Sequence, residues 1–401
     1  MTISRILLAC VFSLALVVCG CDSGSVSSTS SPAPPPTAAA RSTVTARPAE
    51  SSQATALSCP DQVFSRLTQA QRVGQLFLVG IPASGLDAPD AAAIRADHLG
   101  SVTFVGNTTA GVAQIRSITR AAQSLASGGV RMFVAANQEG GEIQPLRGPG
   151  FSAIPSAVGQ GALTSAELER AATTWGRELA AAGVNLDLAP VMDVVPPGTA
   201  SQNAPIGALQ REYGDAPGPV AAHGVAFING MRAAGVATTA KHFPGLGRVR
   251  GNTDFTGDVV DTVTTANDPY LASFQAAIAA GVPFVMVALA TYTSIDPSHL
   301  AVFSSRVIDG VLRQKMGFGG VIMSDDLGAA AAVANISPAT RAIGFLEAGG
   351  DVITSQSVPV AAGMYAAVLR KAAGDAAFRG EVSGAVRRIL DVKAKYGLLS
   401  C

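Results

Sequence analysis

The chain has 401 residues, 48% of them hydrophobic and 14% charged, enough to bury one large core or two small ones. Its 28 basic residues balance 28 acidic ones and gather into no basic stripe, which argues against a nucleic-acid partner.

Arg5 makes the N-terminus positive, and Ile6 to Val18 is an apolar run too short for a comfortable membrane span. The run ends in VVCGCDSGS, where small Gly20 precedes Cys21, a pattern that resembles a bacterial lipobox. On that reading residues 1–20 are a lipoprotein signal peptide. Cys21 is then the lipid-carrying first residue of a mature chain on the outer face of the cell membrane. An ordinary secretory signal peptide is the alternative, and both export the protein. Residues 21–57 are mostly Ser, Pro, Ala and Thr. They cannot bury enough surface to offset their ordering entropy and are expected to form a disordered tether. Residues 58–401 hold only two cysteines, Cys59 and Cys401, at the two ends. Export permits a disulfide, and closed barrels often bring their termini together, so a Cys59–Cys401 bridge is expected. Two unpaired thiols on frayed ends are the alternative.

From residue 74 onward, apolar β-rich runs alternate with alanine-rich stretches of helical length. The runs are 74–81, 99–106, 130–137, 184–191, 236–243, 282–289, 319–326 and 350–356. Stretches such as 91–98, 115–128, 166–183, 219–235, 268–281 and 304–317 carry apolar residues at three-and-four spacing. Several end on Gly, the favoured helix stop. Near-continuous apolar strands between helices indicate a parallel sheet covered on its outside. Eight such units predict an α/β fold, a (β/α)8 TIM-type barrel in a single domain over 58–401. An open doubly wound sheet is the alternative, and a monomer is expected.

Polar residues gather where the strands end, the face that carries active sites in such barrels. Asn137-Gln138-Glu139 follows the third run, Asp193 the fourth, Lys241-His242 closes the fifth, and Ser324-Asp325-Asp326 the seventh. Asp325 at a barrel mouth suits a nucleophile or an electrostatic stabiliser. The competing role is N-cap of a helix over AAAAVA, which fits Asp326 better. Lys241 is costly at such a place unless it meets an anion or several acceptors, and with His242 it suits recognition of hydroxyl groups. A core lysine paired with a neighbouring Asp is the plainer alternative. His98 and His223 fall in predicted helices and His299 in a loop. None has ligand spacing with His242, so no metal is expected.

The blocks KHFPGLG, QEGG, VNLDLAPVMDV and GVIMSDDLG resemble the signatures of glycoside hydrolase family 3 over about residues 60–400. The similarity is to its short single-barrel β-N-acetylglucosaminidase branch, which includes lipoproteins of mycobacteria. The resemblance implies a retaining hydrolase that removes terminal N-acetylglucosamine from cell-wall glycans and muropeptides. It implies Asp325 as nucleophile, and Lys241, His242 and Arg211 (in REYGDAP) as sugar ligands. Asn137 stands where the branch has a sugar-binding Asp, and Asp193 is expected near the pocket. The loop departs from the pattern: Leu246, Asn252 and Asp254 occupy positions that are usually His, Asp and the acid/base His. Asp254 is the remaining candidate acid/base, with Asn252 available to hydrogen-bond its protonated form and the loop glycines to let it move. Arg248 and Arg250 are candidates for an anionic substrate group, or are solvated. Displacement at an acetal needs two protein groups and no cofactor. A sugar-binding lipoprotein with impaired catalysis is the alternative that the lost Asp–His pair suggests, and a barrel enzyme of another class is a third.

Overall fold

The computed structural model describes residues 31–33 and 57–401. The signal peptide, the lipidation site Cys21 and nearly all of the tether lie outside the described residues.

Each of the eight apolar runs yields a strand shorter than itself, the first ending one residue past its run at Pro82. These are β1 (Phe77–Pro82), β2 (Ser101–Val105), β3 (Phe133–Ala136), β4 (Leu186–Asp187), β5 (Ala237–Phe243), β6 (Phe284–Val287), β7 (Val321–Ser324) and β8 (Ile353–Ser355). β8 pairs with β1, and each strand from β1 to β6 pairs with the next, all in parallel. The ring is joined where Met323 of β7 bridges Val352, just before β8. There Ser324 N–H donates to the Val352 carbonyl at 2.9 Å. An open sheet would leave two unpaired edges; this (β/α)8 barrel leaves none.

Nearly all strand residues are buried, as a sheet walled by helices requires. Phe133 of β3 and Phe284 of β6 meet edge to face with ring centres 5.2 Å apart. These strands are not neighbours, so both rings point into the barrel. Local signals bound the outer helices. Thr164 and Glu167 form a capping box before the helix Ser165–Ala181. That helix and Pro217–Ala233 stop at Gly183 and Gly235, at φ +81° and +78°.

Three local expectations need correction. The helix over 304–317 forms as Arg306–Lys315 with the wider π-type winding, for example Met316 N–H to the Val311 carbonyl at 2.9 Å. AAAAVA yields only a short 3₁₀ turn, Ala331–Val333, because Arg341 draws the Leu327 and Ala334 carbonyls to its guanidinium. His98 lies in a left-handed turn at φ 54°, past the end of the helix Ala88–Ala96, rather than within it.

Cys59, which opens the first helix (Cys59–Arg66), forms a disulfide with Cys401 across 5.8 Å between Cα atoms. Nearby, below the barrel, Lys393 is fully buried and donates to Gln75 Oε1 at 2.7 Å and the Gly100 carbonyl at 2.8 Å. Burial pulls its ammonium down to about 7.

Candidate active site

The C-terminal ends of the strands enclose a cavity of about 430 Å³. Asn137, Arg211, Lys241, His242, Asp254 and Asp325 all line it. Asp193 does not; it lies behind His242.

The apolar, β-branched run of β5 carries Lys241 and His242 to the mouth. Consecutive strand residues normally face opposite sides. Here the β5–β6 pairing shifts register between Ala240 and Phe243, and both side chains line the cavity. The Lys241–His242 peptide is cis. Lys241 is only 1% exposed. Its Nζ lies 2.6 Å from Glu139 Oε1 and donates to Asn137 Oδ1 at 2.7 Å. Arg211 grips the same carboxylate from the side, Nε to Oε2 at 2.8 Å and Nη2 to Oε1 at 2.7 Å. Burial alone would raise the Glu139 carboxyl, but Arg211 and Lys241 outweigh it and hold it down at about 2. Burial works against the Arg211 cation, yet Glu139 raises it above its ordinary value.

His242 is oriented from behind. Asp193 is fully buried; its Oδ2 accepts from His242 Nδ1 at 2.7 Å. Its Oδ1 accepts the backbone N–H groups of His242 at 3.1 Å and Leu246 at 2.8 Å. His242 Nε2 is then left facing Arg211 Nη2 at 3.4 Å.

The loop after β5 is tied down at its base, which replaces the mobility its glycines suggested. Asn203 Nδ2 donates to the carbonyls of Leu246 and Val249 at 2.7 and 2.6 Å, and Tyr292 O–H to that of Gly245 at 2.8 Å. A Cβ at Gly247 would fall 1.9 Å from the Val194 carbonyl oxygen, so only glycine fits. At the tip, the carbonyls of Thr253 and Asp254 accept N–H groups of Ala332 and Ala331, both at 3.1 Å. Asn252 Oδ1 accepts the backbone N–H of Asp254 at 3.0 Å, so it shapes the turn and does not hold the carboxyl. Asp254 is an exposed residue, yet it lines the cavity, whose walls partly desolvate it. That desolvation, and then the Asp325 charge, raise it above the usual aspartate range against the pull of His242, Arg211 and Lys241. Arg248 is neither solvated nor turned to the cavity: its Nη1 lies 2.5 Å from Asp268 Oδ2 and its guanidinium stacks 3.9 Å over Tyr270. Arg250 is exposed and outside the lining.

Asp325 follows β7. Its N–H donates to the Val287 carbonyl at 3.0 Å, and its Oδ1 accepts the Asp326 N–H at 2.8 Å. The Asp326 carboxylate accepts backbone N–H groups of Gly328, Ala329 and Gln356 at 2.8, 3.1 and 2.9 Å. It therefore caps a turn, not a helix, and leaves Asp325 to the cavity.

Two acids of the site escaped the sequence reading. Glu139 was visible in the QEGG block, and asking what neutralises a buried Lys241 would have found it. Asp187, at the end of β4, is fully buried with Oδ2 unpartnered, and burial pushes it up to about 7. Among the described residues, no group of three or more His, Cys, Asp and Glu is placed to hold a metal.

A barrel mouth with two carboxyl groups in unlike environments, above cations fixed by a shared anion, is a site of the glycoside-cleaving type. Comparison with known proteins gives the family. The model for the glycosyl hydrolase family 3 N terminal domain matches residues 68–392. A beta-hexosaminidase of Xylella fastidiosa is 35% identical over 287 residues, 69% of this chain and 82% of the relative. The crystal structure of a beta-N-acetylhexosaminidase from Beutenbergia cavernae superposes with a TM-score of 0.79 at 50% identity, over 82% of this chain and 99% of that one. A family 3 beta-N-acetylglucosaminidase of a Paenibacillus species gives 0.74 at 29% identity, over 83% and 63%. M tuberculosis LpqI, at 23% identity and 0.72 over 83% and 96%, shares the fold. This chain belongs to glycosyl hydrolase family 3 and is a glycoside hydrolase.

Proposed function

We propose that the protein is an exported, lipid-anchored, retaining β-N-acetylglucosaminidase of the single-barrel branch, acting on peptidoglycan-derived fragments such as muropeptides. The observation that carries this reading is that Asp254 and Asp325 line one cavity with four sugar-type ligands, Asn137, Arg211, Lys241 and His242. The relatives at 35% and 50% identity are a beta-hexosaminidase and a beta-N-acetylhexosaminidase, which supports an N-acetylhexosamine as the terminal sugar.

In the first step the Asp325 carboxylate bonds to the anomeric carbon as the glycosidic C–O bond breaks, and the Asp254 carboxyl gives its proton to the leaving oxygen. In the second, Asp254 takes a proton from water, whose oxygen bonds to the same carbon and frees Asp325. Asn137 supports the ring hydroxyls in a defined sense: its oxygen is held by Lys241, so its NH₂ is free to donate. Glu139 pairs with both Lys241 and Arg211 and holds them at the cavity wall.

The test is release of nitrophenol from an aryl β-N-acetylglucosaminide by wild type, Asp325→Asn and Asp254→Ala. Wild-type turnover that disappears in Asp325→Asn supports the reading. No wild-type turnover with the sugar still bound would make the protein a sugar-binding lipoprotein. Cys21→Ala should move the protein out of the membrane fraction; retention there would reject the anchor.

A further inference from the structure

Among the described residues, Phe255 is the most exposed large hydrophobic side chain, at 82%, and the only exposed aromatic one. It is next to Asp254 in a loop whose tip is pinned by two backbone hydrogen bonds, and it lines the same cavity. A bare phenyl ring is costly in water and gains when an apolar face covers it. The acid that protonates the scissile oxygen fixes where the leaving group departs. A ring beside that acid therefore flanks the leaving sugar, not the sugar held by Lys241 and Asn137.

Charge narrows what that leaving sugar is. Besides Asp254, which carries the proton to be given up, the carboxyl groups of the lining are Glu142, Asp325 and Asp326. The lining lysine and arginine, Lys241 and Arg211, both spend their charge on Glu139. Arg248, a candidate for meeting an anion, is occupied by Asp268. A carboxylate on the leaving group would enter a negative field with no free lysine or arginine in the described cavity lining to receive it.

We infer that Phe255 is the stacking platform of a leaving-group subsite that takes an uncharged sugar ring, such as a muramyl ring whose lactyl carboxyl is amide-capped. This deepens the proposed function and rests on Asp254 as the acid.

The experiment uses three N-acetylglucosaminyl donors: a muramyl disaccharide with a lactyl amide, the same disaccharide with a free lactyl carboxylate, and the glycosyl fluoride, which has no leaving ring. For wild type, kcat/KM for the amide should exceed that for the carboxylate by about 10-fold at low salt, and the gap should shrink as salt screens the field. Phe255→Ala should lower kcat/KM about 10-fold on the amide, which is about 1.4 kcal/mol. It should stay within about twofold on the fluoride, and Phe255→Tyr should keep most of the activity. An equal fall on amide and fluoride, or no fall on either, would overturn the platform, and a preference for the carboxylate would overturn the neutral subsite. Failure of wild type on the fluoride would overturn the Asp325 reading itself, and this inference with it.

Discussion

Glu139→Gln removes the one anion that two cavity cations share while keeping its shape. An ordinary glutamate titrates near 4.5, and Glu139 is held at about 2. That gap corresponds to about 3 kcal/mol of folding stability at neutral pH. Leaving Lys241 and Arg211 buried without a counter-ion puts the cost of the variant at about 3–5 kcal/mol. The sign follows from the depressed value: the contribution is complete above about pH 4.5 and fades as pH falls toward 2. Urea unfolding of both proteins at matched slope, from pH 7 to 3.5, measures it. The variant's deficit should be largest at pH 7 and shrink below pH 4.5, and KM for an aryl glycoside should rise because Lys241 and Arg211 lose their post. A deficit under about 1 kcal/mol, or one that ignores pH, would refute the argument that Glu139 organises this site.

Asp254→Ala should cost about 10²–10⁴ in rate on a natural disaccharide and much less on an activated aryl glycoside. In wild type the raised Asp254 should place the alkaline fall of kcat/KM above the usual aspartate range, because activity needs its proton; that limb should vanish in the variant. Asp193→Asn should leave the protein folded but lower kcat/KM by loosening His242, read as a larger loss than Arg250→Ala, which touches nothing in the cavity. Lys393 sheds its proton near 7 in the folded state but near 10.5 when unfolded. The unfolded chain therefore binds more protons between those values, and stability should climb with pH there; Lys393→Met should flatten that climb. Cys401→Ser should lower stability by about 2–5 kcal/mol, measured by thermal unfolding without reductant.

The eight strands were legible because each is a short apolar run cut off by Gly or by a helix-period stretch, and both signals are local. Asp325 and Lys241-His242 were legible because a polar residue at the end of a buried strand is conspicuous. What was hidden depends on partners distant in the chain. Glu139 meets Arg211 and Lys241, 72 and 102 residues further on, and nothing local marks that meeting. Arg248 finds Asp268 across 20 residues and so leaves the substrate. Asn252, read as a partner for a carboxyl, serves its own loop's backbone. AAAAVA has helical composition, but Arg341 and the turn capped by Asp326 claim the backbone groups a helix would use.

The Cys59–Cys401 bond turns the folded domain into a covalent ring, joining cysteines 342 positions apart in the sequence. A single proteolytic cut in any surface loop then makes two new ends but no second molecule. The pieces stay linked at the disulfide, so reassembly remains an intramolecular event, with an effective concentration of order mM rather than that of separate molecules in dilute solution. Such a nicked barrel should keep its fold and its cavity until a reductant opens the bond, and only then come apart.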